Sequence, residues 1–257
     1  MVKGLYTAYT AMVNEQNRMD VLTNNLANVD TNGFKKEGAT SQAFNDVLAY
    51  KIKDTSEAYR LAKGIGVANL GVKVGENYTD YSQGSFKVTG NTFDCAIAGE
   101  GFYTIQFTNK AGETSLKYTR DGAFTLNKEG YLVTKDGDYV MGEGGRIKLD
   151  PTQDTTIDAM GRITQNGMVL GTIKITDFED YNYLEHYGEN YYQPVAGATQ
   201  KEPDVLIRSG YIETSNVQVV QEMVEMISTS RQYESNQKLI QTFDSTLQIA
   251  ANQLGKV

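Results

Sequence analysis

The sequence predicts an α+β chain in which two long terminal helices bracket a central antiparallel β-rich domain. Three observations carry this. Apolar residues recur every seven positions near both chain ends, they alternate with polar residues in between, and of 25 glycines only Gly4, Gly33 and Gly255 lie outside residues 36–215. Seven-residue recurrence marks one face of a helix, alternation marks a strand with one buried face, and concentrated glycine marks the turns that join short strands.

The first helix is expected over residues 3–30. Leu5, Met12, Met19 and Leu26 recur at seven, with Ala8, Leu22 and Val29 three residues after members of that row, while Glu15 interrupts the second row. Roughly 26 residues at 1.5 Å each make it about 39 Å long. Its other faces carry amides, namely Asn14, Gln16, Asn17, Asn24, Asn25 and Asn28. It stops at Asp30-Thr31-Asn32-Gly33, where Asn-Gly takes up positive φ readily.

Residues 35–75 read as an extended connector, weakly helical around 41–59, with Lys63-Gly64-Ile65-Gly66-Val67 a loop leading into a strand. The β-rich domain is expected over 76–212. Phe93, Cys95 and Ile97 alternate with polar or small neighbours, as do Tyr103, Ile105 and Phe107. Turn signals then follow at Asp121-Gly122, Glu129-Gly130, Asp136-Gly137, Met160-Gly161 and Asn166-Gly167, the pattern of a sandwich or open barrel.

The second helix is expected within 213–257, capped by Thr214 or Ser215. Val219, Met226, Tyr233, Ile240, Leu247 and Leu254 fall every seven residues, beside a partner row of Met223, Ser230, Gln237, Asp244 and Ala251. Residues 1–35 and 216–257 are nearly neutral: Lys3, Arg18 and Lys35 balance Glu15, Asp20 and Asp30 at one end, and Arg231, Lys238 and Lys256 nearly balance Glu222, Glu225, Glu234 and Asp244 at the other. The middle carries most of the formal charge of −8. Neither narrow stripe buries itself, so each helix needs a partner: the other helix, a copy in another subunit, or both.

Composition excludes several functions. With 24 Lys plus Arg against 32 Asp plus Glu and a pI near 4.8, the chain has no basic face for nucleic acid. One Cys forms no internal disulfide and one His, His186, builds no ordinary zinc site. No run of 18 apolar residues is present, so no membrane insertion is expected, and Asn14, Glu15 and Gln16 interrupt the start before a secretory h-region forms. G-x-S-x-G, P-loop and H-E-x-x-H motifs are missing. Gly64-Ile65-Gly66 lacks the third glycine of a dinucleotide loop, and Asp136-Gly137-Asp138 lacks the later ligands of a calcium loop, which leaves a hairpin turn. Asp177, Glu179 and Asp180 read as a solvated loop face, Cys95 as a core hydrophobe, and His186 as loop or surface packing. No catalytic, cofactor-binding or metal residue is expected, although a carboxylate pair of glycosidase type depends on the fold and stays open.

The chain ends carry a specific resemblance. Asp20 through Lys35 fills every fixed position of D-x-x-x-N-N-x-A-N-x-x-T-x-G-[FY]-K, with Asn24, Asn25, Ala27, Asn28, Thr31, Gly33, Phe34 and Lys35 in place. Glu213-Thr214-Ser215-Asn216-Val217, followed by Glu222-Met223-Val224 and Arg231-Gln232-Tyr233-Glu234-Ser235-Asn236, forms a second block. Thr89-Gly90-Asn91, residues 96–102 and Tyr118-Thr119-Arg120-Asp121-Gly122 form a third. Together they resemble the bacterial flagellar basal-body rod protein family within the axial rod and hook proteins. Overall length puts the likeness with the distal rod protein and its proximal relative, the hook protein being longer.

The resemblance implies that the terminal helices pair as a coiled-coil-like unit forming an inner tube, with the β domain outside. It implies an assembly interface of Leu5, Met12, Met19, Leu22, Leu26, Val219, Met223, Met226, Tyr233, Ile240, Leu247 and Leu254, and signature roles for Ser215, Asn216 and Val217 alongside the N-terminal block. It also implies copies of the chain, other axial proteins and the export apparatus as partners, a place in the basal body reached by type III export without signal cleavage, and no cofactor. Two readings of another class stand beside it: a β-rich carbohydrate-active enzyme, which needs a cleft with paired carboxylates, and a non-polymerising adhesin or capping factor, which needs a binding patch on the β domain.

Overall fold

A computed structural model describes residues 2–51, 63–110, 112–188 and 190–254. The chain divides into two compact units. One comprises Met1–Leu26, Glu37–Thr79 and Val219–Val257, the other Ala27–Lys36 and Asp80–Gln218.

The first unit holds α1 (Val2–Ala27), β1 (Glu37–Ala43), β2 (Val47–Lys51), β3 (Lys63–Ala68), β4 (Val72–Thr79) and α2 (Val219–Leu254). β1 pairs antiparallel with β4 from Glu37↔Thr79 to Ala43↔Val72, with a bulge between Ala39 and Ser41, and β2 pairs with β3. The weak helix expected around 41–59 is instead strand at residues 41–43 and 47–51, and residues 52–59 lie outside the described residues. Pairing with β4 overrides local propensity: the Thr40 hydroxyl donates to the Glu76 carbonyl and accepts from the Glu76 amide, both at 2.8 Å. The loop expected at residues 63–67 is likewise strand. α1 lies on this ribbon, with Asn14 Nδ2 donating to Ser41 Oγ at 2.9 Å and Thr10 packed so closely that a Cβ on Gly71 would fall 2.3 Å from its hydroxyl.

The α+β content stands, but the coiled-coil-like pairing of the terminal helices does not. The helices run antiparallel and meet at separate points: Gly4, where a Cβ would sit 3.1 Å from Phe243, Arg18 with Glu225 at 3.1 Å, and Asn25 with Glu222 at 3.2 Å. A coiled-coil seam buries its apolar rows. Here the fully buried residues of α2, among those described, are Glu222 and Thr229, whereas Met223 and Leu247 are exposed. The inward row is Glu222, Thr229, Asn236, Phe243 and Ala250, three residues on from the row the apolar pattern selects. Polar groups on α1 decide this, because Arg18 and Asn25 find their partners only if the carboxylates of α2 face them.

The second unit is all antiparallel strand apart from a short 3-10 turn at Tyr181–Tyr183. β5 (Phe86–Val88) pairs with Tyr211–Glu213, and β6 (Cys95–Ala98) with Leu206–Ser209. β7 (Phe102–Thr108) and β8 (Thr114–Thr119) lie at the centre of a ten-stranded sheet, in register from Tyr103↔Thr119 to Thr108↔Thr114. A three-stranded sheet spans Thr155–Thr172. β7 is buried on both faces. Tyr103 joins a cluster with Cys95, Ile97, Phe124, Leu132, Val140, Ile163 and Ile207, while Phe102 joins Tyr118, Phe178, Leu184 and Tyr192.

Three local readings change. Asp177 is buried, accepting from the Tyr181 hydroxyl at 2.7 Å, so only Glu179 and Asp180 form the solvated face. His186 is in strand Leu184–Tyr187, edge-on to Tyr192 at 5.5 Å, and not in a loop. α2 begins at Val219, and the Ser215 hydroxyl accepts from the Val217 amide at 3.2 Å, which makes a turn ahead of the helix instead of its cap.

Candidate functional site

The signature residues meet at two buried polar nodes, one in each unit. In the β-rich unit, Gly33 has φ +67° and donates its amide to the Glu213 carbonyl at 2.8 Å. A Cβ there would fall 2.5 Å from the Arg120 carbonyl carbon, so only glycine fits. This turn sends Phe34 and Lys35 inward. Lys35 Nζ reaches Glu213 Oε1 at 2.5 Å and the Ser82 carbonyl at 2.8 Å. Arg120 Nη1 lies 3.3 Å from Glu213 Oε2, its Nη2 donates to the Gly99 carbonyl at 2.9 Å, and the Gly84 amide donates to Glu213 Oε1 at 2.9 Å. Burial pulls the Lys35 ammonium below the ordinary lysine range, opposed by the charge and hydrogen bond of Glu213. Beside it, Asn216 accepts the Lys36 amide at 2.7 Å and donates to the Asp80 carbonyl at 2.8 Å. The first and last signature blocks thus close on each other through charge-assisted hydrogen bonds.

In the helical unit, Asn25 is fully buried. Its Nδ2 donates to the Glu37 carbonyl at 2.7 Å, its Oδ1 accepts the Glu37 amide at 2.9 Å, and Nδ2 also reaches Glu222 Oε2 at 3.2 Å. The side-chain amide copies what a neighbouring strand would offer, so one residue starts β1 and orients α2.

The remaining signature residues shape turns. Asn28 accepts the Thr31 amide and hydroxyl, both at 3.2 Å, Ala27 ends α1, and Asn24 is exposed, while Phe34 and Val217 are buried. Of the residues expected at an interface, Leu22 is buried and Leu5, Met12, Met19, Leu26, Val219, Met226, Tyr233 and Ile240 are half-buried. Met223 and Leu247 are exposed, and the Leu254 side chain lies outside the described residues. Seven-residue rows do not find Lys35, Glu213 and Arg120; the adjacency of Lys35 to Gly33-Phe34 and of Glu213 to Ser215-Asn216 is the available signal.

A cavity of about 690 Å³ in the β-rich unit is lined by Asp30, Asp121, Asp136, Asp138, Lys135 and Tyr191, among others. Three of its carboxylates are engaged by the protein itself: the Tyr191 hydroxyl lies 3.0 Å from both Asp136 and Asp138, and Asp121 accepts the Ala123 amide at 2.9 Å. Among the described residues no group of three or more His, Cys, Asp or Glu could hold a metal, and no helix is long and apolar enough to cross a membrane. Burial pushes the Cys95 thiol up to about 12, so it stays protonated.

Comparison with known proteins matches these segments one by one. Residues 5–35 match the family described as flagella basal body rod protein, residues 96–165 the flagellar hook protein FlgE/F/G D1 domain, and residues 208–254 the flagellar basal body rod FlgEFG protein C-terminal region. The flagellar basal-body rod protein FlgG of Bacillus subtilis is 34% identical, over 98% of this chain and 99% of its own length. FlgG of Buchnera aphidicola subsp. Schizaphis graminum is 34% identical over 96% and 98%, and the flagellar basal-body rod protein FlgF of Caulobacter vibrioides is 32% identical over the full length of both. On these full-length likenesses, and on the signature segments that build both buried nodes, the chain belongs to the flagellar basal-body rod protein family.

Proposed function

We propose that the chain, a structural subunit of the flagellar basal-body rod by family, polymerises through its terminal helices with copies of itself and with other axial proteins into a hollow shaft that transmits torque. The observation that carries this is the outward side of the two helices. Tyr6, Tyr9 and Val13 on α1 and Val220, Met223, Val224 and Ile227 on α2 are exposed, and apolar rows of this extent on a soluble chain mark contact surfaces. The half-buried rows Leu5, Met12, Met19 and Val219, Met226, Tyr233, Ile240 flank them and gain further burial when a neighbour docks.

The role is mechanical and not catalytic, since the buried charges tie segments together instead of facing a substrate. Delivery is by the flagellar type III apparatus, which passes unfolded chains; a lone protonated thiol leaves no disulfide to obstruct this. The amide-rich, nearly neutral helix faces suit a lumen through which other chains slide. Electron microscopy and sedimentation of the purified protein at rising concentration, together with images of cells lacking it, test the assignment. Filaments in vitro and missing rods in cells are expected. A protein that stays monomeric at every concentration, with intact rods in its absence, overturns it.

A further inference from the structure

The chain contains two Asn-Gly pairs, Asn32-Gly33 and Asn166-Gly167, both within the β-rich unit. An asparagine followed by glycine is open to an intramolecular reaction, because glycine has no Cβ to keep its amide nitrogen away from the preceding side-chain carbonyl carbon. The reaction needs the linking peptide group to turn and its nitrogen to lose a proton. The surroundings of the two pairs decide which of them can do so.

The Asn32–Gly33 peptide is held at both ends. Its carbonyl accepts from Asn190 Nδ2 at 2.7 Å and its amide donates to the Glu213 carbonyl at 2.8 Å. Gly33 is buried against the Arg120 main chain, so turning this peptide breaks two hydrogen bonds in a packed place. The Asn166–Gly167 peptide is unconstrained in each respect. Strands Arg162–Gln165 and Met168–Thr172 close their ladder at Gln165↔Met168, which leaves Asn166 and Gly167 as the two residues of the turn. Their φ values are +50° and +77°, as a tight hairpin turn requires. Both residues are exposed, and nothing beyond its chain neighbours lies within 4 Å of where a Gly167 Cβ would stand. Among the described residues, neither the Asn166 carbonyl nor the Gly167 amide has a hydrogen-bond partner. Turning this peptide breaks no ladder bond and brings it straight into water.

We propose that Asn166 is a site of spontaneous covalent modification. The Gly167 nitrogen, its proton taken by hydroxide, bonds to Asn166 Cγ. The Cγ–Nδ2 bond breaks and Nδ2 leaves as ammonia, taking a proton from water, which closes a five-membered succinimide. Water then adds to one of the two ring carbonyls. Opening at Cγ leaves aspartate and opening at the main-chain carbonyl leaves isoaspartate, so one amide and one water become one carboxylic acid and one ammonia. The product carries a new negative charge on a chain already at −8. The isoaspartyl form also lengthens the main chain by one methylene directly after Gln165. That side chain is 3% exposed and donates to the Asp150 carbonyl at 3.0 Å and the Thr155 hydroxyl at 2.8 Å, so a buried anchor adjoins the altered link.

Ageing the folded full-length protein in warm, mildly alkaline buffer, followed by trypsin and mass spectrometry, tests this. Cleavage after Arg and Lys puts the two pairs on separate peptides, Met19–Lys35 and Ile163–Lys174. Conversion of amide to acid at Asn166 should be at least about tenfold faster than at Asn32, since Asn32 must wait for local opening. The rate at Asn166 should rise with pH, and the two sites should draw level in protein aged unfolded in guanidinium. An isoaspartyl methyltransferase given labelled S-adenosylmethionine should mark aged wild-type protein and leave aged Asn166→Gly at background; glycine takes positive φ without strain, so that variant keeps the turn. Equal conversion of both pairs in the folded protein, an Asn166 amide that outlasts ageing while the unfolded chain converts, or equal labelling of the aged variant each overturns the proposal.

Discussion

Asn25 shows how much one side chain can specify. It donates to and accepts from the Glu37 backbone while bonding Glu222, and no other residue of that size supplies both donor and acceptor. Asn25→Asp turns the donor into a second carboxylate facing Glu222 and should cost about 1–3 kcal/mol or more in urea denaturation. Glu213→Gln leaves Lys35 and Arg120 buried without their anion, for an expected loss of about 3–5 kcal/mol. Asp121 behaves in the opposite sense. Burial foremost, with Asp136 and Asp94 adding to it, raises its pKa above 3.8. The folded protein then holds its proton more tightly than the unfolded chain, and stability falls as pH rises through that window. Asp121→Asn should therefore gain stability at pH 7 and lose the gain as the pH falls below about 3.8, as paired denaturation curves would show. The sequence displays all these residues as motif letters, but their roles depend on meetings between Lys35 and Glu213 or Asn25 and Glu222, which no local pattern encodes.

At the level of elements, both helices were legible and their facing was not. A seven-residue period labels every row of a long helix equally, so apolarity alone selected Val219–Met226–Tyr233, whereas Arg18 and Asn25 turn the polar row of Glu222 and Thr229 inward. The lengths of the helices have a measurable effect. α1 begins at Val2 and reaches Phe243 at Gly4, so the last turns of the 36-residue α2 extend beyond it. Leu247 lies in that overhang and is exposed. Amides from about 247 onward should exchange much faster than those of 222–243 in the monomer, and equal protection along α2 would count against this packing. The strand at β1 was missed because its register is set by β4, more than thirty residues away, and by Asn25 on α1.

Across the whole molecule the two units differ in what holds them. The fully buried apolar side chains of the helical unit, among the described residues, are Ala8, Val21 and Leu22, while the β-rich unit encloses two clusters that include Phe102, Tyr103, Phe124 and Tyr192. Helix should therefore melt first. In a urea titration the far-ultraviolet helical signal is expected to fall at lower concentration than that at which Cys95 becomes reactive toward a thiol reagent; coincident midpoints would contradict it. The antiparallel strands and their turns were the most legible part of the fold, because alternation and Gly-containing turns are local signals. The passage of the chain back and forth between the units is not local and left no such trace.

That passage also sets an order in time. The 26 residues of α1 receive their companion from the final 36 described residues, so a polypeptide delivered head first keeps an unfinished flank until its tail arrives. A nonsense codon placed between positions 214 and 219 should yield a product whose strands are all present yet which no growing shaft incorporates, and which does not poison the wild-type chain when the two are co-expressed.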